Sequence, residues 1–245
     1  MPDSPVVIVS GGSRGLGLSL VRRLLARGDR VATFSRSGSK DLDALAAIHA
    51  ENLFAGQLDA ADSDAIRSFV ATTASRFGGI DHAVANAAIA HEGVLATTRD
   101  DEIDSMLAVN VRGGIVFVRE CVRTMLASGA VKGNRSITVV SSIVAESGSP
   151  GLTVYAATKA AMEGFARSLA RELGPRQIRV NAIAPGFLET DLSASLSDSN
   201  RARIASRSAL GRLGTPEDVV GSIEFLMSEH AGFMTGQTFG VEGGR

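Results

Sequence analysis

The only tyrosine of the 245-residue chain, Tyr155, lies four positions before Lys159 in a segment whose pattern predicts a helix. Side chains four residues apart share one helical face, so the phenol and the ammonium are expected to be neighbours. A tyrosine ordinarily titrates at a pKa of about 10, and a nearby positive charge should lower that pKa towards neutrality. The pair therefore predicts an acid/base that protonates a carbonyl oxygen as hydride reaches its carbon, although an isolated pair of this kind is more often structural.

Two further polar residues fit the same chemistry. Ser142 follows a predicted strand and stands thirteen residues before Tyr155. Because the carboxyl ends of parallel strands face the ligand crevice, its hydroxyl is expected to hold the substrate oxygen, although ordinary turn chemistry also favours serine. Asn110 lies inside a predicted helix, where asparagine is mildly unfavourable and more often a surface residue. It is expected to hold a water that passes protons to Lys159.

A glycine-rich loop, Gly11-Gly12-Ser13-Arg14-Gly15-Leu16-Gly17, follows the first predicted strand and opens a predicted helix. Glycines let the backbone turn sharply and approach a pyrophosphate, which the free N–H groups and the positive dipole end of the helix would bind. The spacing differs from the commoner Gly-x-Gly-x-x-Gly, and a turn without any ligand would also need glycines. The loop favours a dinucleotide cofactor.

The end of the second predicted strand indicates which dinucleotide binds. NAD sites usually place an acidic residue about 20 residues beyond the glycine loop, where it holds the ribose 2′-hydroxyl. Ser35 stands at that position, Arg36 follows it, and Arg14 in the loop can approach the same phosphate. Because a carboxylate would repel a 2′-phosphate and arginine can bind one, these residues predict NADP(H). The alternative is that both arginines are solvated surface charges.

Strand-like and helical segments alternate along the chain, which predicts an α/β fold: a Rossmann-type, doubly wound parallel β-sheet flanked by helices in a single domain, residues 1–245. The predicted strands are Val6–Ser10, Val31–Ser35, Leu53–Gln57, His82–Ala85, Ser136–Ser141, Arg179–Ile183 and Thr238–Val241. The predicted helices are Gly15–Arg27, Asp41–Ala50, Ser63–Phe77, Asp100–Leu126, Val154–Leu173 and Pro216–Met227, with Ser63 and Thr215 as caps. The irregular residues 187–213 are expected to form a substrate lid.

Composition and charge narrow the function classes. The net charge of −1 gives no global field that would attract nucleic acid or an anionic membrane. No apolar run approaches the roughly 20 residues that span a bilayer. The single cysteine, Cys121, fits a reducing compartment, so a cytoplasmic location is expected. The four histidines are scattered without ligand spacing, and no metal site is predicted.

These motifs, in their order and spacing, resemble the short-chain dehydrogenase/reductase family over essentially the whole chain. The resemblance implies a catalytic tetrad of Asn110, Ser142, Tyr155 and Lys159. It also assigns cofactor contacts to Tyr155 and Lys159, beside those expected of the glycine loop, Ser35 and Arg36. The further contacts that the resemblance implies are Asp59 at the adenine, Asn86, Ala87 and Ala88, and Pro185, Gly186 and Thr190 at the carboxamide end of the nicotinamide. Asn86-Ala87-Ala88 stands where the family usually has Asn-Asn-Ala-Gly, so Ala88 adds a methyl near the cofactor.

Within the family, the segments Asn181–Thr190 and Gly211–Glu217 look most like those of bacterial 3-oxoacyl-(acyl-carrier-protein) reductases. That likeness implies a homotetramer that reduces a β-ketoacyl thioester to a 3-hydroxyacyl thioester in fatty-acid or polyketide biosynthesis. Because carrier proteins are acidic, Lys132, Arg135 and Arg176 are expected to dock an acyl carrier protein near the mouth of the site. Two alternatives stay open. One is an NADP-dependent dehydrogenase of a free small secondary alcohol or ketone. The other is a catalytically silent dinucleotide-binding or redox-sensing protein, although such a protein would not need the intact tetrad.

Overall fold

A seven-stranded parallel sheet forms the centre of the part of the chain that the computed structural model describes, residues 4–127, 133–189 and 198–244. The strands are β1 (Val6–Ser10), β2 (Arg30–Ser35), β3 (Leu53–Gln57), β4 (His82–Ala85), β5 (Arg135–Val140), β6 (Ile178–Pro185) and β7 (Thr238–Val241). Their order across the sheet is β3-β2-β1-β4-β5-β6-β7. The predicted doubly wound α/β fold is confirmed, and the predicted strand ends differ by at most two residues, at β2, β5 and β6.

The strand order reverses beside β1. From β1 the chain moves outwards through β2 to β3, and it then returns to the other side of β1 with β4. The loops after two strands at such a reversal run in opposite directions, which leaves a crevice at the carboxyl edge of the sheet. The loops after β1 and β4 begin at Gly11 and Asn86, so the fold places both residues at this crevice.

Helices cover both faces of the sheet. One face packs against α1 (Gly15–Ala26), α2 (Lys40–Ile48) and α9 (Pro216–Met227), and the other against α3 (Ser63–Phe77), α5 (Gly114–Ala127) and α7 (Thr153–Leu173). Because both faces are covered, the central strands β1 and β4 are buried along their whole length, whereas the edge strands β3 and β7 are partly exposed. On the second face the Phe34 ring lies edge-on to Phe69 and Phe117, at centroid distances of 5.3 and 5.7 Å, which joins β2 to α3 and α5.

The helix predictions need three corrections. The predicted helix Asp100–Leu126 is divided: α4 (Asp100–Met106) leads into a π-helical turn over Leu107–Gly113, and α5 follows. In that turn a Cβ on Gly113 would lie 2.1 Å from the Ala60 carbonyl oxygen, so the chain packs too closely there for any larger residue. Two short helices, α6 (Val144–Ser147) and α8 (Asp198–Ala205), were not predicted.

One of the two predicted helix caps is wrong. Thr215 caps α9 as expected, and its backbone N–H donates to the Asp218 carboxylate at 2.7 Å. The cap of α3 is Asp62 and not Ser63, because the Asp62 carboxylate accepts hydrogen bonds from the first turn at 2.9 and 3.0 Å. A carboxylate at this position also meets the positive end of the helix dipole, which a serine hydroxyl does not neutralise.

The predicted lid segment leaves the sheet and returns to it at one place. The Glu189 N–H donates to the Gly214 carbonyl at 2.9 Å, and the Gly214 N–H donates to the Phe187 carbonyl at 3.0 Å. Helix α8 lies between these points, whereas residues 190–197 lie outside the described residues. Backbone hydrogen bonds therefore join the two ends of the predicted lid segment. Among the helices that the structure describes, none has the length and apolar character needed to span a membrane.

Candidate active site

A cleft of about 840 Å³ follows the carboxyl edge of the sheet, a volume in the range of cofactor and small-molecule sites. The structure brings sixteen of the nineteen predicted site residues to its wall: Gly11, Ser13, Arg14, Gly15, Leu16, Ser35, Arg36, Asp59, Asn86, Ala87, Ala88, Ser142, Tyr155, Lys159, Pro185 and Gly186. Gly17 and Asn110 are not part of the wall, and Thr190 lies outside the described residues.

The glycine loop at one end of the cleft is folded too tightly for side chains at two positions. Gly11 has a φ of +78°, a left-handed conformation that favours glycine. A Cβ on Gly17 would lie 2.0 Å from the Gly11 carbonyl oxygen. Helix α1 begins directly after Arg14, whose side chain makes no capping hydrogen bond, so the first N–H groups of α1 can donate to an anion. The loop has the geometry of a pyrophosphate cradle.

Asn86 supports this loop from behind. Its Nδ2 donates to the carbonyls of Ser10 and Gly11, both at 3.0 Å. The Ser10 hydroxyl in turn accepts from the backbone N–H groups of Asn86 and Ala87 at 2.9 and 3.0 Å. The Asn86 side chain therefore joins the loops after β1 and β4, and a direct contact between this side chain and the cofactor stays a prediction.

Two arginines stand at the same end of the cleft. Arg14 and Arg36 are both exposed and line the cleft, and neither forms an ion pair with a described residue. The Ser35 hydroxyl donates to the Ser37 carbonyl at 2.8 Å, so it must rotate before it can donate to a ligand. Asp59 accepts from the Ala61 N–H at 2.8 Å, which orders the loop after β3. This end of the cleft thus offers two cationic side chains to an anionic group.

Tyr155 and Ser142 meet at the opposite end of the cleft. Tyr155 lies in the first turn of α7, and Ser142 lies just beyond the carboxyl end of β5. Burial raises the pKa of Tyr155 to about 12, although a hydrogen bond with the Ser142 hydroxyl lowers it in part. The expectation that the Tyr155 pKa is lowered towards neutrality is therefore wrong. The tyrosine keeps its proton at neutral pH and is available as a proton donor.

The burial of Lys159 explains why this residue does not lower the pKa of Tyr155. The residue is only 4% exposed, and its Nζ donates to the Val140 carbonyl at 2.8 Å and lies 5.6 Å from the centre of the Tyr155 ring. Burial lowers the pKa of Lys159 to about 8. Because the lysine loses its proton before the tyrosine does, it is neutral in the pH range where Tyr155 ionises. At neutral pH the site therefore holds a charged lysine beside a protonated tyrosine.

Asn110, in the π-helical turn, uses its side chain to connect two elements. Its Oδ1 accepts from the Ile89 N–H at 2.8 Å, while Nδ2 donates to the Ile89 carbonyl at 2.8 Å and to the Thr158 hydroxyl at 3.1 Å. A small cavity of about 10 Å³ is lined by Asn110 and Lys159, at the lower limit for one water molecule. Both amide hydrogens are already used, so they cannot hold such a water. The proton relay stays a prediction.

The substrate end of the cleft is mostly apolar, and the sequence did not reveal it. Its lining comes from loops after β4, β5 and β6, where no periodic pattern marks the inward side chains. Among the described residues that line this end, Glu92 is the only acidic one. The apolar lining residues are Ile89, Ile143, Val144, Leu152, Phe187 and Leu188.

The predicted docking patch does not form at the mouth of the cleft. Arg135 is 8% exposed at the start of β5 and donates to the Met125 carbonyl at 2.6 Å, so it is a buried structural residue. Arg176 is exposed but lies beyond the far end of the 21-residue α7, about 30 Å from the helix start at the site. Within one chain both arginines lie at the amino edge of the sheet, opposite the cleft, and this prediction is wrong for them. Lys132 lies outside the described residues.

Comparisons with known proteins identify the family. A family model described as Enoyl-(Acyl carrier protein) reductase matches residues 11–245. The 3-oxoacyl-[acyl-carrier-protein] reductase FabG of Salmonella typhimurium is 34% identical over 244 residues, which cover 99% of this chain and 97% of that protein. The chain belongs to the short-chain dehydrogenase/reductase family, and it is an oxidoreductase.

Two solved structures share the fold along nearly the whole chain. The 3-ketoacyl-(acyl-carrier-protein) reductase of Brucella melitensis complexed with NADH has a TM-score of 0.91 at 28% identity, covering 100% of this chain and 99% of that one. A short-chain dehydrogenase/reductase of the same organism, named as a glucose/ribitol dehydrogenase, has a TM-score of 0.91 at 30% identity, covering 98% of this chain and 96% of that one. The names of these two proteins indicate different substrates, and the two proteins share one fold with this chain.

Proposed function

We propose that this chain uses NADPH to reduce the keto group of a β-ketoacyl thioester, carried on an acyl carrier protein, to a 3-hydroxyacyl thioester in fatty-acid or polyketide biosynthesis. The observation that carries the proposal is that Tyr155 and Ser142 lie together at one end of a cleft whose other end has the geometry of a pyrophosphate cradle. The name of the Salmonella typhimurium relative supports the choice of substrate.

The cofactor site fits NADPH. The closely packed Gly11 and Gly17 and the start of α1 would hold the pyrophosphate, and Arg14 and Arg36 would hold the 2′-phosphate. Asp59, Ala87, Ala88, Pro185, Gly186 and Thr190 are the further contacts that family membership suggests. Bound NADPH supplies the hydride.

Cofactor preference is tested by Arg36→Asp. The new carboxylate would repel a 2′-phosphate and can accept a hydrogen bond from a ribose hydroxyl. Since a hydrogen bond to a charged group contributes about 1.5–3 kcal/mol, the ratio of kcat/KM for NADPH to that for NADH should fall roughly tenfold or more. Arg171→Asp, an exposed position on α7, is the matched control and should leave the ratio unchanged. Equal kcat/KM for the two cofactors in the unaltered enzyme would overturn the NADP(H) proposal. NADH is included because the similar reductase of Brucella melitensis was solved with NADH bound.

The residues of the chain would manage the proton. Ser142 would hold the keto oxygen of the substrate next to the Tyr155 hydroxyl. Tyr155, whose raised pKa keeps it protonated, would donate its proton to this oxygen as the carbon accepts hydride, which gives the alcohol. Lys159, charged below a pH of about 8, would stabilise the phenolate that remains. Asn110 would hold the loop that carries Ile89 against helix α7, because its side chain is hydrogen-bonded to both.

The second candidate is an NADP-dependent dehydrogenase of a free small alcohol or ketone, which the likeness to the glucose/ribitol dehydrogenase favours. Against it, the apolar residues at the substrate end offer few hydrogen bonds to a polyol and suit an acyl chain. Consumption of NADPH is measured with an acetoacetyl thioester, with a 2-enoyl thioester and with a panel of free alcohols and ketones. We expect the highest kcat/KM with the acetoacetyl thioester. A higher value with a free polyol or with the enoyl thioester would replace the proposal.

The partner, the assembly and the location complete the proposal. An acyl carrier protein as partner rests on the name of the relative, and the homotetramer and the cytoplasmic location rest on family membership. A lower KM for a carrier-linked β-ketoacyl substrate than for its N-acetylcysteamine thioester would support the partner. Sedimentation velocity tests the tetramer.

A further inference from the structure

We propose that Glu163 is a positioning residue for Tyr155 and Ser142, and that it acts through Ser141. The Ser141 hydroxyl donates to Glu163 Oε1 at 2.7 Å. Ser141 is 2% exposed and the Glu163 side chain is 14% exposed, so the bond is largely shielded from solvent. It joins the end of β5 to the second turn of α7 beyond Tyr155. For turnover, the inference rests on the proposed function.

The bond is one of three contacts between the strand end and a single face of α7. Tyr155, Lys159 and Glu163 follow one another at intervals of four and therefore share this face. Three consecutive residues at the end of β5 each contact one of them. The pairs are Val140 with Lys159, Ser141 with Glu163, and Ser142 with Tyr155. Ser141 thus stands between the two pairs that belong to the proposed catalytic groups.

Ion pairing does not account for a carboxylate at this place. The cation nearest to Glu163 among its ion pairs is Arg167, at 3.7 Å and with a side chain that is 56% exposed, and such pairs contribute little. A largely buried carboxylate is costly unless it is hydrogen-bonded, and the charge-assisted bond from Ser141 supplies that partner. Loss of the bond would leave the Ser141 hydroxyl with only the Lys159 carbonyl, at 3.4 Å, as an acceptor. The weaker hold on the end of β5 would let Ser142 move away from Tyr155.

The test compares substitutions that remove the acceptor oxygen with one that keeps it. Glu163→Leu removes the acceptor and Ser141→Ala removes the donor, whereas Glu163→Gln keeps an oxygen that can accept the same bond. Since a misplacement of about 1 Å can cost about 10²-fold in rate, Glu163→Leu and Ser141→Ala should lower kcat by roughly tenfold to a hundredfold. In these two variants the KM for NADPH should stay unchanged, and Glu163→Gln should keep most of the kcat. The double variant Ser141→Ala with Glu163→Leu should have a kcat no lower than that of either single variant, because both changes remove the same bond. Glu172→Leu, an exposed position on the same helix, is the matched control.

A second readout does not depend on substrate. Tyr155 is the only tyrosine and the chain has no tryptophan, so the tyrosine band in near-ultraviolet circular dichroism reports the surroundings of this one side chain. Glu163→Leu should change that band while the far-ultraviolet spectrum stays the same, and Glu163→Gln should restore it. If the unaltered enzyme reduces no β-ketoacyl thioester, the proposed function fails while this readout still decides the role of Glu163. The inference is overturned if Glu163→Leu leaves both the band and kcat unchanged, if Glu163→Gln is as impaired as Glu163→Leu, or if the losses of the double variant add.

Discussion

Replacing the buried Lys159 with methionine should abolish turnover and yet stabilise the fold at neutral pH. Burial lowers the pKa of Lys159 from 10.5 to about 8, so the folded protein holds this proton less favourably than the unfolded chain does. The difference corresponds to roughly 3 kcal/mol, as one pKa unit is about 1.4 kcal/mol. Methionine has a similar length and carries no charge, so it removes this penalty. The lost hydrogen bond from the charged ammonium to the Val140 carbonyl offsets about 1.5 kcal/mol or more of that gain, which leaves a net stabilisation of up to about 1.5 kcal/mol at pH 7.

The direction of the pH dependence follows from the sign of the shift. Below pH 8 both folded and unfolded states carry the proton, and the penalty of the buried charge is fully present. Between pH 8 and 10.5 the folded state releases the proton first, so this group makes the free energy of unfolding of the unaltered protein rise with pH. In Lys159→Met this rise should be absent. The gain in stability from the substitution should therefore be largest at pH 7 and should vanish near pH 10.5.

The assay is urea unfolding followed by far-ultraviolet circular dichroism at pH 7 and pH 10, at one protein concentration because an oligomer unfolds in a concentration-dependent way. Lys40→Met is the matched control, since Lys40 is an exposed lysine at the start of α2, and it should change the free energy of unfolding little. If Lys159→Met is no more stable than the unaltered protein at pH 7, or gains as much at pH 10 as at pH 7, the buried-charge reasoning is refuted.

Burial of a histidine, close packing at a glycine and the capping of a helix each have a measurable consequence. Burial lowers the pKa of His82 from 6.5 to about 3, so the unfolded chain gains a proton before the folded protein does as the pH falls. The free energy of unfolding should therefore drop by about 3 kcal/mol by pH 4. In urea titrations His82→Gln should remove most of this pH dependence, and an unchanged dependence would contradict the prediction. Gly17→Ala would place a Cβ 2.0 Å from the Gly11 carbonyl oxygen and should weaken NADPH binding at least tenfold, measured by fluorescence titration. Gly221→Ala is the control, because its Cβ would meet nothing within 4 Å. It should leave NADPH binding intact and raise the free energy of unfolding by up to about 1 kcal/mol. Asp62→Ala should lower the free energy of unfolding by about 1 kcal/mol while Ser63→Ala is nearly neutral, and the reverse order in urea unfolding would restore Ser63 as the cap of α3.

The elements that position the site were predictable because their signals are local. Seven apolar strand segments, the glycine loop and the spacing of Tyr155 and Lys159 are all visible within a few residues of sequence. The fold then brings Gly11, Asn86, Ser142 and Tyr155 to one edge of the sheet, since consecutive parallel strands present their carboxyl ends there. Helix periodicity could not predict the π-helical turn at Asn110, because it depends on the close approach of Gly113 to the Ala60 carbonyl across the fold.

Burial is the property that the sequence reasoning missed most often. The lysine charge was expected to control the Tyr155 pKa, but desolvation affects both groups and reverses the order in which they lose their protons. Arg135 was expected to face a partner, and it is buried against the Met125 carbonyl. The contact between Ser141 and Glu163 spans 22 residues and has no sequence signature. Each of these depends on which side chains the fold covers, and not on residue type or spacing.

The substitution Tyr155→Phe tests most directly whether Tyr155 gives the proton in hydride reduction of a carbonyl. Phenylalanine keeps the ring and its packing and removes only the hydroxyl that the Ser142 side chain contacts. With an acetoacetyl thioester and NADPH, kcat should fall by about 10²–10⁴-fold, while the Kd of NADPH from fluorescence titration stays within about twofold of that of the unaltered enzyme. A Tyr155→Phe variant that keeps more than half of the original kcat would contradict the claim.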